Sequence, residues 1–93
     1  MAEMTYMQSE ALQKFADSIE VFKANINTHC NDMEQGISES SVYMLDDVSK
    51  RALSDASLLC AEIRALLNPA NLVLEKVLGM IETLKQGDSE LSI

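Results

Sequence analysis

Residues 12–33 read LQKFADSIEVFKANINTHCNDM, and this stretch decides the fold. Taken every three or four residues, it places apolar side chains on one side of a helix, with a single polar interruption. The series is Leu12, Phe15, Ile19, Phe22, Ile26, His29 and Met33. Because alternating spacings of three and four define a heptad stripe, we predict one long helix whose coiled-coil seam is the spine of the protein.

Helix breakers divide the rest of the chain, which has three glycines and one proline. Gly36 suits a left-handed C-cap, while Asn68 and Pro69 suit an N-cap and a first helical residue. We predict helix one at about 5–35, helix two at about 40–67, helix three at about 69–86 and a frayed tail at 88–93. A single helix from about 40 to 86, kinked at Pro69, is the alternative.

The predicted fold class is therefore all-α. It is an elongated antiparallel helical hairpin, with a third helix after Pro69 if helices two and three are separate, in one domain spanning residues 1–93.

Charge and hydropathy exclude several partners. The net charge is −8 and the seven basic residues are scattered, so we expect neither nucleic-acid binding nor attraction to anionic lipid. No uninterrupted apolar run approaches the roughly 20 residues that span a bilayer. The N-terminus carries an acid and no basic segment, so we expect no cleavable signal peptide and a cytoplasmic location, with export by another route left open.

Residues that carry chemistry are sparse. One histidine and two cysteines do not make a metal-site pattern, and His29 and Cys30, as helix neighbours, point about 100° apart. We predict no metal, no cofactor and no enzymatic activity. A seam position would make His29 a register-fixing polar residue; half-exposure at the bundle end is the equal alternative.

The two cysteines are predicted to be separate buried hydrophobes. If the hairpin turns near residues 36–38, Cys30 faces the region of Met44, and Cys60 lies roughly 24 Å further along at 1.5 Å per residue. A disulfide needs Cα atoms within about 7 Å, so this register forbids a Cys30–Cys60 bond.

Helix three is apolar over more than half of its circumference, which indicates burial on more than one side. Together with the heptad stripe, this predicts a protein partner or self-association as a homodimer. The predicted partner-binding residues are Leu12, Phe15, Ile19, Phe22, Ile26, Val73, Val77, Met80 and Leu84.

Short length, acidic charge, scarce proline and two long helices about a Gly-Ser connector resemble the WXG or ESX-like helical hairpins of type VII secretion. The likeness covers about Met4 to Gln86. The family's Trp-x-Gly turn reads Gln35-Gly36-Ile37-Ser38 here, and its Tyr-x-x-x-Asp/Glu export signal is matched by Tyr43 and Asp47, ahead of the usual place. The resemblance implies a non-catalytic partner or targeting factor for a larger secreted toxin or effector.

Two other functions fit the format. Type III secretion needle or rod proteins are also short and helical, with a proline-containing turn similar to Leu67-Asn68-Pro69-Ala70. A small thiol-dependent enzyme or redox sensor using Cys30 is the other, and it requires a reactive thiol.

Overall fold

The structure is a computed structural model that describes the backbone of residues 2–91 and the side chains of residues 7–87. It contains three helices, α1 (Ala2–Ser41), α2 (Asp47–Ala65) and α3 (Leu67–Leu91), and no strand among the residues described. The predicted all-α hairpin is confirmed. The chain forms two compact units: α1 up to Phe22 with the residues from Pro69 onward, here called unit 1, and residues 23–68, here called unit 2.

The first helix is longer than predicted. It passes through Gly36, whose φ is not positive, and ends at Ser41, so the turn lies at residues 42–46 rather than near 36–38. A glycine inside a helix costs only about 1 kcal/mol relative to alanine. Beyond it, Ile37 and Ser40 are still half-buried on the packed side of α1, so continued packing overrides the glycine.

The second helix is capped by an aspartate, Asp46, and begins later than the predicted start at about residue 40. Asp46 has extended backbone dihedrals, with φ −81° and ψ 158°. Its carboxylate accepts the backbone N–H of Ser49 at 3.0 Å and the Ser49 hydroxyl at 2.7 Å. These bonds hold the pKa of Asp46 below its ordinary value of 3.8. Asp46 therefore fixes where α2 begins.

One residue, Leu66, separates α2 from α3. Its dihedrals are helical, with φ −67° and ψ −17°, and its N–H bonds the carbonyl of Ile63 at 3.0 Å. Pro69 is the third residue of α3, not the first, and Asn68 is inside the helix rather than its cap. Proline has no N–H for the carbonyl of Ala65, four residues earlier, which explains a break at this point. Helix α3 also continues through Gly87, the predicted stop; of the predicted frayed tail, only residues 92–93 lie outside the described residues.

The buried seam of α1 differs from the predicted one by a shift of one residue at alternate positions. Residues 12, 19, 26 and 33 belong to it as predicted, but Ala16 and Cys30 replace Phe15 and His29, and Lys23 replaces Phe22. Among residues 7–41, the buried and half-buried positions of α1 are Ser9, Leu12, Ala16, Ile19, Lys23, Ile26, Cys30, Met33, Ile37 and Ser40. The spacing still alternates between three and four, so the heptad is real and its second row was misassigned.

In unit 1, α1 packs antiparallel against α3. The buried cluster consists of Ala16 and Ile19 from α1 with Leu74, Val77 and Ile81 from α3. Leu12 and Ala70 pack against its edges. The small side chain of Ala16, only 2% exposed, leaves room for the larger α3 residues opposite.

In unit 2, α1 packs antiparallel against α2. The thiol of Cys30 contacts the carbonyl oxygen of Cys60 at 3.7 Å, and the Cys60 sulfur lies 4.0 Å from the Met33 sulfur. The predicted separation of the two cysteines is therefore wrong. Its cause is the position of the turn, since extending α1 to Ser41 brings Cys30 opposite Cys60.

A polar network on the surface of unit 2 reinforces this register. The Arg64 guanidinium of α2 bonds the Glu34 carboxylate at 2.8 and 2.9 Å and the side-chain oxygen of Asn31 at 2.7 Å. A longer bond of 3.4 Å reaches Asn27. The hydrogen bond to Glu34 raises the already high pKa of Arg64. A planar guanidinium makes several directed bonds at once, so sliding α2 along α1 would break them together.

Truncating the unit 1 core should destabilise the chain. We expect Ile19→Ala to lower the free energy of unfolding by about 2–5 kcal/mol, because it leaves a cavity beside Ala16 and Leu74. Val21→Ala is the control, since Val21 is 58% exposed and should change the free energy by less than about 0.5 kcal/mol. Urea unfolding followed by circular dichroism measures both; equal effects would contradict the assigned seam.

The N-cap of α2 should make stability depend on acid pH. Because the folded-state pKa of Asp46 is lowered, its ionised form contributes stability that is complete above the ordinary pKa of 3.8 and is lost as pH falls through the folded-state value. Asp46→Asn retains a capping side chain without a titrating group. The difference in Tm between the two proteins should favour the wild type at pH 6 and shrink at lower pH; a difference independent of pH would contradict the assignment.

Candidate protein-interaction surface

Unit 1 contains an open groove between the N-terminal part of α1 and α3. Its volume is about 1010 Å³. Its lining residues are Gln8, Ala11, Leu12, Lys76, Gly79, Met80, Thr83 and Leu84. Most of this lining is apolar, and two of its members, Ala11 and Gly79, have little or no side chain. An open, mainly apolar groove between two helices is a shape that can receive a further helix.

Large apolar side chains extend this groove along the same side of unit 1. Phe15 and Phe22 follow Gln8 at intervals of seven residues, and Val73 precedes Met80 by the same interval, so each row occupies one side of its helix. The exposed fractions are 50% for Phe15, 48% for Phe22, 43% for Val73 and 53% for Met80. We call Leu12, Phe15, Phe22, Val73, Met80 and Leu84 the groove face.

The groove face follows from how α1 uses its heptad. A spacing that alternates between three and four residues fits two adjacent apolar rows on α1. One row runs through Ala16, and the other runs through Phe15 and Phe22. The internal packing with α3 takes the row of Ala16. The row of the two phenylalanines is left beside the seam, half in contact with it and half in solvent.

The structure divides the predicted partner-binding residues into two groups. Ile19, Ile26 and Val77 are 8%, 6% and 5% exposed and contribute to the protein's own core. The other six form the groove face, and all six lie in unit 1. Sequence reasoning missed the other lining residues of the groove, of which Ala11 and Gly79 are small and Gln8, Lys76 and Thr83 are polar.

The two residues of the Tyr-x-x-x-Asp match do not share a helix. Tyr43 is in the turn and 85% exposed, and Asp47 is the first residue of α2. Neighbours of Tyr43 are also exposed apolar residues, with Val42 at 69% and Leu45 at 71%. The hairpin tip is thus a second apolar surface, located in unit 2. The predicted helix two includes these residues, whereas the structure places them in the turn before α2.

Side chains that could bind a metal do not cluster in the described part of the chain. No group of three or more histidine, cysteine, aspartate or glutamate residues within residues 7–87 is arranged to hold a metal ion. His29 is exposed on α1, so the prediction of a buried, register-fixing seam residue is wrong; it also lies within the helix and not at the bundle end, as the other alternative had it. Burial, with a smaller effect of Cys30, raises the pKa of Cys60.

The stretch Asp47–Gly87, by length and composition alone, is apolar enough to cross a membrane. Its most apolar window has a mean hydropathy of 1.2, and 11% of that window is buried within the protein. This is weak support for a membrane span, because helices that pack against other proteins have the same composition. It shows that much of the apolar surface of this stretch is exposed in the single chain.

No protein-family model matches the chain, and comparisons with curated proteins and with solved structures give no significant match.

The glycine in the groove should weaken the free chain. A Cβ built on Gly79 meets no atom within 4 Å, and the same holds for Gly36 in α1. We expect Gly79→Ala and Gly36→Ala each to raise the free energy of unfolding by about 0.5–1 kcal/mol, because alanine restricts the unfolded chain and favours the helix. Urea unfolding of the two variants measures this; a loss of stability at either position would show a contact that the structure lacks.

Proposed function

We propose that this chain is a non-catalytic helical interaction module, a WXG-like partner or targeting factor for type VII secretion of a larger toxin or effector. The observation that supports it best is the groove face, where two packed helices leave four large apolar side chains about half exposed. A further helix laid along this side would bury them and complete a bundle.

The size of the chain favours a partner. A domain of 93 residues buries a limited fraction of its apolar surface by itself, and here the buried side chains of unit 1 form a single row along each helix. Phe15 and Phe22 would be among the largest contributors to any core, yet they lie outside this one. Half-exposed aromatic residues beside a seam are typical anchors of protein interfaces.

The arrangement along the chain supports the secretion context. Helix α1 and the pair α2 and α3 lie on either side of a turn near mid-chain, which is the format of the WXG-like hairpins. The turn carries an exposed aromatic residue, Tyr43, which belongs to the Tyr-x-x-x-Asp match. The partner we propose is the helical domain of a larger secreted protein, with a second copy of this chain as the other occupant, and the location we propose is cytoplasmic with export open.

A structural subunit of a secretion apparatus, such as a type III needle or rod protein, is the second candidate. Its motivation was a proline-containing turn between helices. In the structure, residues 67–70 lie in the first turn of α3, and the hairpin turn is at residues 42–46. This places the proline away from the hairpin turn and favours the interaction module.

Charging the groove face should abolish association while the fold survives. We expect Phe22→Glu to weaken complex formation at least about tenfold, because a buried aromatic side chain contributes about 1.5–3 kcal/mol and each 1.4 kcal/mol is tenfold. Val21→Glu is the matched control. Val21 precedes Phe22 in the sequence, is 58% exposed and lies on the side of α1 away from the buried seam. Its substitution should therefore weaken complex formation by less than about twofold. Circular dichroism checks that both variants remain helical.

The measurement has two stages. Size-exclusion chromatography with light scattering, over a concentration series, detects self-association. Purification of the tagged chain from its own organism, followed by mass spectrometry, identifies a bound protein. A helical domain of a secreted protein that is retained by Val21→Glu and lost with Phe22→Glu is the expected result. A monomer with no bound protein would contradict the proposal, and filaments in electron micrographs would favour the structural subunit.

A further inference from the structure

We propose that Cys30 and Cys60 are a redox pair that closes a disulfide between α1 and α2 when the protein meets a disulfide oxidant. This modification site lies wholly within unit 2 and does not depend on the groove face. Both cysteines are free thiols in the structure.

The geometry makes these residues a pair and not two separate small hydrophobes. They come from opposite helices and occupy the same layer, since the Cys30 thiol contacts the Cys60 carbonyl at 3.7 Å. The exposed fraction is 0% for Cys30 and 2% for Cys60. Among the other buried core residues that the structure describes, Ala16 is also 2% exposed and the rest are more exposed. Each is therefore packed against the opposite helix, in the layer that also contains the other cysteine.

The surroundings hold the two helices in this layer. On one side the Met33 sulfur lies 4.0 Å from the Cys60 sulfur. One helical turn further along α2, Arg64 bonds Glu34 and Asn31 of α1. The Met33 thioether and the Arg64 guanidinium, which makes several hydrogen bonds, both restrict sliding of α2 along α1. The two cysteines are therefore held opposite each other in one register.

The reaction is thiol–disulfide exchange. One cysteine, as its thiolate, attacks a small-molecule disulfide such as oxidised glutathione, forms a mixed disulfide and releases one glutathione thiol. The second cysteine thiolate then attacks the protein sulfur of that mixed disulfide, forms the Cys30–Cys60 bond and releases the second glutathione thiol. The protein loses two protons and two electrons, and the oxidant is reduced to two thiols.

Burial determines when this happens. The thiolate is the attacking species, and burial raises the pKa of Cys60, so exchange in the closed hairpin is slow and requires local opening. In a reducing cytoplasm the pair stays as thiols, whereas an oxidising compartment favours the bond. Once formed, the bond closes the chain segment from residue 30 to residue 60, which contains the turn and most of α2.

The first test is incubation of the native protein with oxidised glutathione, followed by mass spectrometry of the non-reduced chain. The expected product is a monomer lighter by two hydrogen atoms, with a Cys30–Cys60 peptide link. Cross-linking a loop of this length should raise Tm by roughly 10–20 °C, with complete reversal by a reductant. The Cys30→Ser, Cys60→Ser and double variants are the controls, and none should show the rise.

Three results would overturn the proposal. One is accumulation of singly or doubly glutathionylated protein without the internal link, which would show that the two sulfurs cannot reach each other. The second is an intermolecular disulfide as the main product at low protein concentration. The third is an internal link that forms only in denaturant or that lowers Tm, which would show that the native helix pair does not accommodate the bond.

Discussion

The interaction on which the structure depends is the packing of one heptad row of α1, through Ala16 and Cys30, against the facing helix in each unit. Both residues are small and almost fully buried, so the helix backbones approach closely at these layers. Because α1 supplies this row to both units, the phase of one helix determines which side chains enter the cores of unit 1 and unit 2. It also determines which side chains are left out.

The heptad spacing predicted the helix, the hairpin and half of the seam, but it did not predict the phase. Two rows separated by one residue satisfy the same alternation of three and four, and side-chain size favoured the row of Phe15 and Phe22. The cores instead use Ala16 and Cys30, where a small residue on α1 faces larger or equally small residues on the partner helix. Complementarity between helices decided this, and no pattern on a single helix contains it.

The rule that a glycine ends a helix failed where side-chain packing continued beyond the glycine. Gly36 was taken as the end of α1, yet the seam runs on to Ile37 and Ser40, and their burial offsets a cost of about 1 kcal/mol. This error of six residues in the helix end moved the predicted turn and hence the facing partner of Cys30. The candidate surface was predictable residue by residue only in part, because its members are defined by what the core leaves unused.

The misassigned phase is itself informative about function. If fold stability alone decided the sequence, the two phenylalanines would contribute most from inside the core, where each aromatic ring buries the most surface. Here the buried cluster of unit 1 forms without them and they stay about half exposed, while Gly79 and Met80 line the groove of the same unit. A glycine in mid-helix lowers stability, and at this position a Cβ would meet no atom within 4 Å, so packing within the chain does not require the glycine. Two features that weaken the isolated chain, exposed aromatic residues and a helical glycine, thus fall in one unit, and a further helix packed against that unit is the contact we propose for both.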